Sequence, residues 1–295
     1  MITISTPIET VADGLTLTEG PRWHGGKLYF SDMHAQRVCA VDETGRFETV
    51  VETDDMPSGL GFMPNGDMLF VLMRSHKVMR FSKGKVSLHA DLDRFADSRI
   101  NDMAVGPTGR AYVGQLGFEF EGNDPRKTTT LMVIEPDGQA CVAASELWGP
   151  NGIVLSADGR TLYTAEASDS RVTAFDMAAD GSLSNRRTFA VPPDHNAPDG
   201  ICMDSQGGIW AGLPVGAKTE GMWGLGFVRM EEGSRATHRI PVPNGRRAIA
   251  CCFGGADRKT LYLCTVDTFK SEEILKSRGG RIERVRLDFT GAGTP

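Results

Sequence analysis

Nowhere in the 295 residues does an apolar run approach the roughly 18 that a membrane-spanning helix needs, so no helical membrane span is expected. Basic charge is also short: 32 Lys and Arg against 38 Asp and Glu leave a net charge of -6, which gives no support for binding nucleic acid or anionic membranes. Cysteines number six, without a CxxC pair or the density of a disulfide framework. Cys39, Cys202, Cys251 and Cys264 lie inside apolar strand patterns, where a free thiol behaves as a small hydrophobe. Reduced core thiols in a cytoplasmic protein are expected, with the vicinal pair Cys251-Cys252 as the one place to look for redox chemistry. The opening MITISTPIETVAD lacks a basic stretch followed by an apolar one, so no signal peptide is expected. GxSxG, HExxH, the Walker A loop and a GxGxxG following a strand are all missing, which argues against serine hydrolases, zincins and nucleotide-dependent enzymes.

What the chain does have is 35 glycines and 15 prolines, a supply suited to many tight turns. With 40% hydrophobic and 24% charged residues it has the composition of an ordinary globular protein able to bury a large core. One pattern recurs six times: a small or polar residue, a short apolar strand, a turn and a second strand. The copies are EGPRWHGGKLYF, SGLGFMPNGDMLFV, NDMAVGPTGRAYVG, NGIVLSADGRTLYTAE, DGICMDSQGGIWAG and ACCFGGADRKTLYLCT. Their turns centre on Gly26, Gly66, Gly109, Gly159, Gly207 and Arg258, at spacings of 40, 43, 50, 48 and 51 residues. That is the length of a four-stranded propeller blade. Two further strands follow each hairpin except the sixth, where only RIERVRLD follows and the fourth strand is missing. The N-terminal ITISTPIETV is expected to supply it and close the ring. The prediction is an all-β, six-bladed β-propeller with four antiparallel strands per blade, residues 1–295 forming one domain.

In such a ring the residues entering the innermost strands surround one mouth of the central channel, and the turns lie on the opposite face. Counting back from the turns gives Glu19, Ser58, Asn101, Asn151, Asp199 and Ala250, with Asp102 beside the third. Any one Asn-Gly or Asp-Gly reads as a turn former. Four carboxylates or carboxamides at symmetry-related positions read instead as an oxygen-ligand cluster for a hard divalent cation such as Ca²⁺. The set contains no His or Cys, which argues against a dedicated Zn²⁺ site of the usual kind.

The same residues carry a resemblance. EGPRW at 19–23, RIND at 99–102, PNGIVLSADGRTLYTAE at 150–166, PDGICMDSQGGIWAG at 198–212 and CCFGG at 251–255 resemble the senescence marker protein / gluconolactonase / luciferin-regenerating enzyme family. The resemblance implies a six-bladed propeller with one divalent metal, commonly Ca²⁺, with Zn²⁺, Mn²⁺ or Mg²⁺ in some members. It implies Glu19, Asn151 and Asp199 as metal ligands, and Asn101 as a fourth ligand or a substrate contact. Arg99 would bind substrate, as would Glu119 and Asp102.

The expected reaction is hydrolysis of a cyclic ester to a hydroxy acid, with Asp199 as general base and Asn101 or Arg99 donating to the oxyanion. Mouth loops carrying Met33, Phe118, Phe120, Met222, Trp223 and Phe269 suggest a bulkier or less polar lactone than an aldonolactone, with Trp223 against the substrate. The same side chains could equally pack the loops onto the propeller. Arg74, His34 and His195 also fall near the mouth, the two histidines reading more simply as surface loop residues. The partner is a small lactone, and the chain a monomer or weak homo-oligomer. A related esterase or organophosphate hydrolase, or a non-enzymatic Ca²⁺-binding propeller, would use the same fold.

Overall fold

The computed structural model describes residues 1–119, 125–215, 223–243 and 245–293, without the side chain of Trp223. Six sheets follow one another along the chain. The first consists of Thr18–His24, Lys27–Asp32, Arg37–Asp42 and Phe47–Glu52, each antiparallel to the one before. The innermost strands of the next five are Pro57–Phe62, Ile100–Val105, Pro150–Leu155, Ile201–Met203 and Arg247–Gly254. The protein is a six-bladed β-propeller with four antiparallel strands per blade.

Burial falls from the axis outward. Ile100–Val105 and Pro150–Leu155 are buried at every position, whereas the outer strand Lys85–Asp91 is mostly exposed. That gradient explains why inner strands read as continuous apolar runs rather than as alternation. The hairpin turns need one left-handed residue: Gly66 has φ +86°, and the Met63 N–H reaches the Asp67 carbonyl at 2.8 Å. In the sixth blade Arg258 takes that place with φ +56°.

Closure differs in detail from the expected use of residues 2–11. The strand completing the sixth blade is Glu9–Leu15, antiparallel to Gly280–Arg286. Ile2–Thr3 instead adds a fifth, parallel strand to the fifth blade, beside Arg235–Ile240. Pro7 separates the two pieces, and a residue without an N–H suits a crossing between sheets. No helix of the described residues is long and apolar enough to cross a membrane.

Glycines at the centre set how closely the blades meet. A Cβ on Gly59 would lie 2.2 Å from the Met103 nitrogen, on Gly152 2.5 Å from the Ile201 nitrogen, and on Gly200 2.3 Å from the Ala250 Cβ. The Ser-Gly, Asn-Gly and Asp-Gly pairs are therefore clearance positions where inner strands touch, not turns. Asp102 stands at the corresponding place in the third blade.

Candidate active site

The strand entrances converge as their spacing requires. Glu19, Ser58, Asn101 and Asn151 are all buried, and Asp199 is partly exposed. The Ser58 hydroxyl donates to Asn101 Oδ1 at 3.0 Å, and the Ser31 hydroxyl donates to the Ser58 carbonyl at 2.6 Å. On the other side, Asn151 and Glu19 lie beside the Asp199 carboxyl group, and both pull its proton affinity down. Blade contacts are made in the backbone too: Gly152 N–H donates to the Asp199 carbonyl at 3.3 Å, and Gly200 N–H to the Ile249 carbonyl at 3.0 Å.

Charge at this centre is unbalanced. Arg22 extends from the first blade to the third, donating to Asp102 Oδ1 at 3.2 Å and to the Pro21 carbonyl at 2.8 Å. Three carboxylates, Glu19, Asp102 and Asp199, interact with one another around that single guanidinium, a formal excess of two negative charges. Burial raises the Glu19 carboxyl well above its usual range, and the charges of Asp199 and Asp102 raise it further, against the Gly20 N–H and Arg22. Burial and the Asp102 charge push Asp199 up to about 7, against the lowering influence of Glu19 and Asn151. Asn151 Oδ1 is buried without a hydrogen-bond partner among the described residues.

These features fit a dication. Two facing carboxylates need a proton or a cation between them, and a buried carbonyl oxygen with no donor needs something positive to meet. Among the described residues no three His, Cys, Asp or Glu side chains are grouped to hold an ion. The donors available are two carboxylates, Glu19 and Asp199, completed by carboxamide oxygen.

The remaining expected residues sort by position. Arg99 pairs with Glu119, Nε to Oε2 at 2.7 Å, and Glu119 is exposed. Asp102 is buried beneath the mouth: one oxygen accepts from Arg22 and the Met103 N–H, the other from the Ile153 N–H. That placement makes it part of the floor, where its carboxylate balances Arg22. Trp223 opens a strand by its backbone, its side chain lies outside the described residues, and Phe120 and Met222 fall outside them entirely. Met33 is 1% exposed and packs in the core rather than lining the mouth. Phe118 and Phe269 are partly buried, with Arg126 over the first ring and Arg247 over the second. His34 Nε2 lies 3.3 Å from Ser271 Oγ, and both His195 and Arg74 are exposed. Arg22 was not singled out by the sequence reading. Its signal was an arginine inside an innermost strand, in EGPRW.

A family profile described as SMP-30/Gluconolactonase/LRE-like region matches residues 17–267. The chain belongs to that family. Regucalcin of Gallus gallus is 26% identical over 281 residues, covering 92% of this chain and 90% of its own length. The pentonolactonase XacC of Haloferax volcanii is 27% identical over 309 residues, covering 98% and 97%. The solved regucalcin of Agrobacterium tumefaciens, titled a calcium-binding protein, shares the SMP-30/gluconolactonase-like fold at TM-score 0.81. It is 19% identical over 100% of this chain and 98% of its own.

Proposed function

We propose that this SMP-30/gluconolactonase-like protein is a divalent-metal-dependent lactone hydrolase, opening a cyclic ester to a hydroxy acid. The observation that carries the reading is the clustering of three carboxyl groups, Glu19, Asp102 and Asp199, against the single guanidinium of Arg22, a formal excess of two negative charges that raises the Glu19 and Asp199 carboxyls. Likeness to a pentonolactonase over nearly the whole chain supports the reaction class. Glu19, Asn151 and Asp199 would hold the ion, with Asn101 as a fourth oxygen or a substrate contact. The all-oxygen donor set favours Ca²⁺, with Zn²⁺, Mn²⁺ or Mg²⁺ as alternatives. Bound there, the ion would supply Lewis-acid polarisation of the ester carbonyl and acidify the attacking water.

The protein's own groups do the rest. Asp199 is the ring member open to the mouth, and its carboxylate takes the proton from water. Arg99, held by Glu119, donates to the carbonyl oxygen as charge develops on it. Ser58 fixes the Asn101 carboxamide beside it. Phe118 and Phe269, partly buried against the core with a guanidinium over each ring, are assigned together with Trp223 to contact with a lactone ring less polar than a sugar. The free cysteines, five buried and Cys141 exposed, suit a reducing cytoplasm.

The test is acid release, read with a pH indicator, on protein stripped by chelator and re-supplied with Ca²⁺, Zn²⁺, Mn²⁺ or Mg²⁺. The panel runs from glucono- and xylonolactone to aryl and alkyl lactones. Metal-restored hydrolysis is expected. Silence across the panel from metal-loaded protein would overturn the lactonase reading.

A further inference from the structure

The ring donors sit at the ends of mouth segments, and three of those segments are gripped in the same way. In the first blade the second strand ends in Asp32, whose Oδ1 accepts the Thr16 N–H at 2.8 Å. In the third it ends in Gln115, whose Oε1 accepts the Asp97 N–H at 3.0 Å and the Ser98 hydroxyl at 3.2 Å. In the fourth it ends in Glu166, whose Oε2 accepts the Trp148 N–H at 2.8 Å. Thr16, Ser98 and Trp148 each stand three residues before a ring donor: Glu19, Asn101 and Asn151. All three gripping side chains are fully buried.

Two of the grips are themselves braced by an arginine five residues on. Arg37 Nε and Nη2 reach Asp32 Oδ2 at 2.9 and 2.8 Å. Arg171 reaches Glu166 at 3.0 and 3.1 Å, and Arg186 adds a second guanidinium at 3.1 Å. The tetrapeptides between, MHAQ and ASDS, each form one short 3₁₀ turn ending in a left-handed residue, Gln36 or Ser170. The fifth blade's second strand ends in apolar Val215, and that blade supplies Asp199, the partly exposed donor.

We propose that Asp32, Gln115 and Glu166 are positioning residues for the oxygen ring, each fixing the segment three or four residues upstream of a donor, Asp32 and Glu166 through the N–H three residues before it and Gln115 through the Asp97 N–H and the Ser98 hydroxyl, and so setting the spacing of Glu19, Asn101 and Asn151. Asp199 lacks such a side-chain grip and is held through its backbone instead, its N–H donating to the Gly212 carbonyl at 2.9 Å and its carbonyl accepting from Gly152 at 3.3 Å. The inference rests on the reading of the ring as a divalent-metal site. An ion of fixed size is bound best by oxygens held at fixed separations, and residues that orient ligands without touching the ion typically contribute about 10–100-fold to its affinity.

The experiment measures divalent-ion affinity by titration calorimetry, with Ca²⁺, Zn²⁺, Mn²⁺ and Mg²⁺ in parallel, and the melting temperature in chelator. Glu166→Ala removes a grip but takes the shared carboxylate away from two guanidinium groups, Arg171 and Arg186. Gln115→Met removes one without stranding any charge and keeps the test alive if the first variant does not fold. Arg186→Ala is the control, since it disturbs the Glu166 cluster while leaving the acceptor for Trp148. Glu166→Ala and Gln115→Met are each expected to bind the ion about 10–100-fold more weakly at unchanged stoichiometry. Arg186→Ala is expected to melt earlier and bind as tightly as wild type. Wild-type affinity in the folded Glu166→Ala and Gln115→Met variants would overturn the inference alone. Failure of the wild type to bind any of the four ions would overturn the metal-site reading and this one with it.

Discussion

Arg22 of the first blade and Asp102 of the third meet at 3.2 Å in the centre of the propeller, both almost fully buried. A buried pair of this kind contributes little net stability against an apolar replacement, yet losing one partner is costly because the other stays charged and enclosed. Arg22→Met is expected to cost about 3–5 kcal/mol in urea unfolding. The double variant Arg22→Met/Asp102→Asn should recover a good part of that loss. A double variant no more stable than the single one would mean that Asp102 does not depend on Arg22.

Asp199→Asn separates the reaction from the fold. Loss of a general base typically costs about 10²–10⁴ in rate, so turnover should fall by that much while the circular dichroism spectrum stays unchanged. Its carboxyl group is raised to about 7 in the folded protein from an ordinary value of 3.8. A raised acid holds its proton more tightly folded than unfolded. Its stabilising contribution is therefore complete below 3.8 and lost as pH rises through about 7. In chelator, wild type should lose stability across that window more steeply than Asp199→Asn. Retained turnover in the variant would sink the assignment of the base.

Periodicity was enough to reveal the six blades, because a hairpin that returns every 40 to 51 residues leaves its turn chemistry in the sequence. That Glu19, Ser58, Asn101, Asn151 and Asp199 enter the innermost strands together was legible for the same reason, since radial symmetry turns equal sequence offsets into spatial neighbours. The floor was not. Whether Asp102 faces substrate or a buried arginine depends on which side chain crosses from two blades away, and no offset encodes that. Asp32, Gln115 and Glu166 escaped notice because three different residue types do one job, accepting an N–H. Met33 looked like a mouth residue because its loop is at the mouth, but its side chain turns down into the core.

The glycine that follows Asn151 gives a packing test. A Cβ on Gly152 would stand 2.5 Å from the Ile201 nitrogen and 2.6 Å from the Asp199 carbonyl oxygen, both backbone atoms of the next blade. Neither can swing aside as a side-chain end could, so Gly152→Ala must push the fourth and fifth blades apart. A loss of about 1–3 kcal/mol is expected, with weaker ion binding because Asn151 and Asp199 belong to those two blades. Unchanged stability and unchanged affinity would show that the inner strands are looser than these contacts imply.

Glu166 offers a pH test that does not involve the ring's own charges. Burial alone would raise its carboxyl group, but hydrogen bonds from Arg171, Thr173 and the Trp148 N–H outweigh burial and hold it below 4.5. A depressed acid binds its proton less tightly folded than unfolded. The stability it contributes is present in full above 4.5 and is lost as pH falls through the lower, folded value. Glu166→Gln keeps the shape and removes the charge. Charged hydrogen bonds of this kind are worth about 1.5–3 kcal/mol, so the variant should be less stable than wild type by that order at neutral pH. The gap should narrow as the solution is acidified below 4.5. A gap that stayed constant through the acid range would show that the charge of Glu166, as opposed to its shape, does nothing to hold the fourth blade.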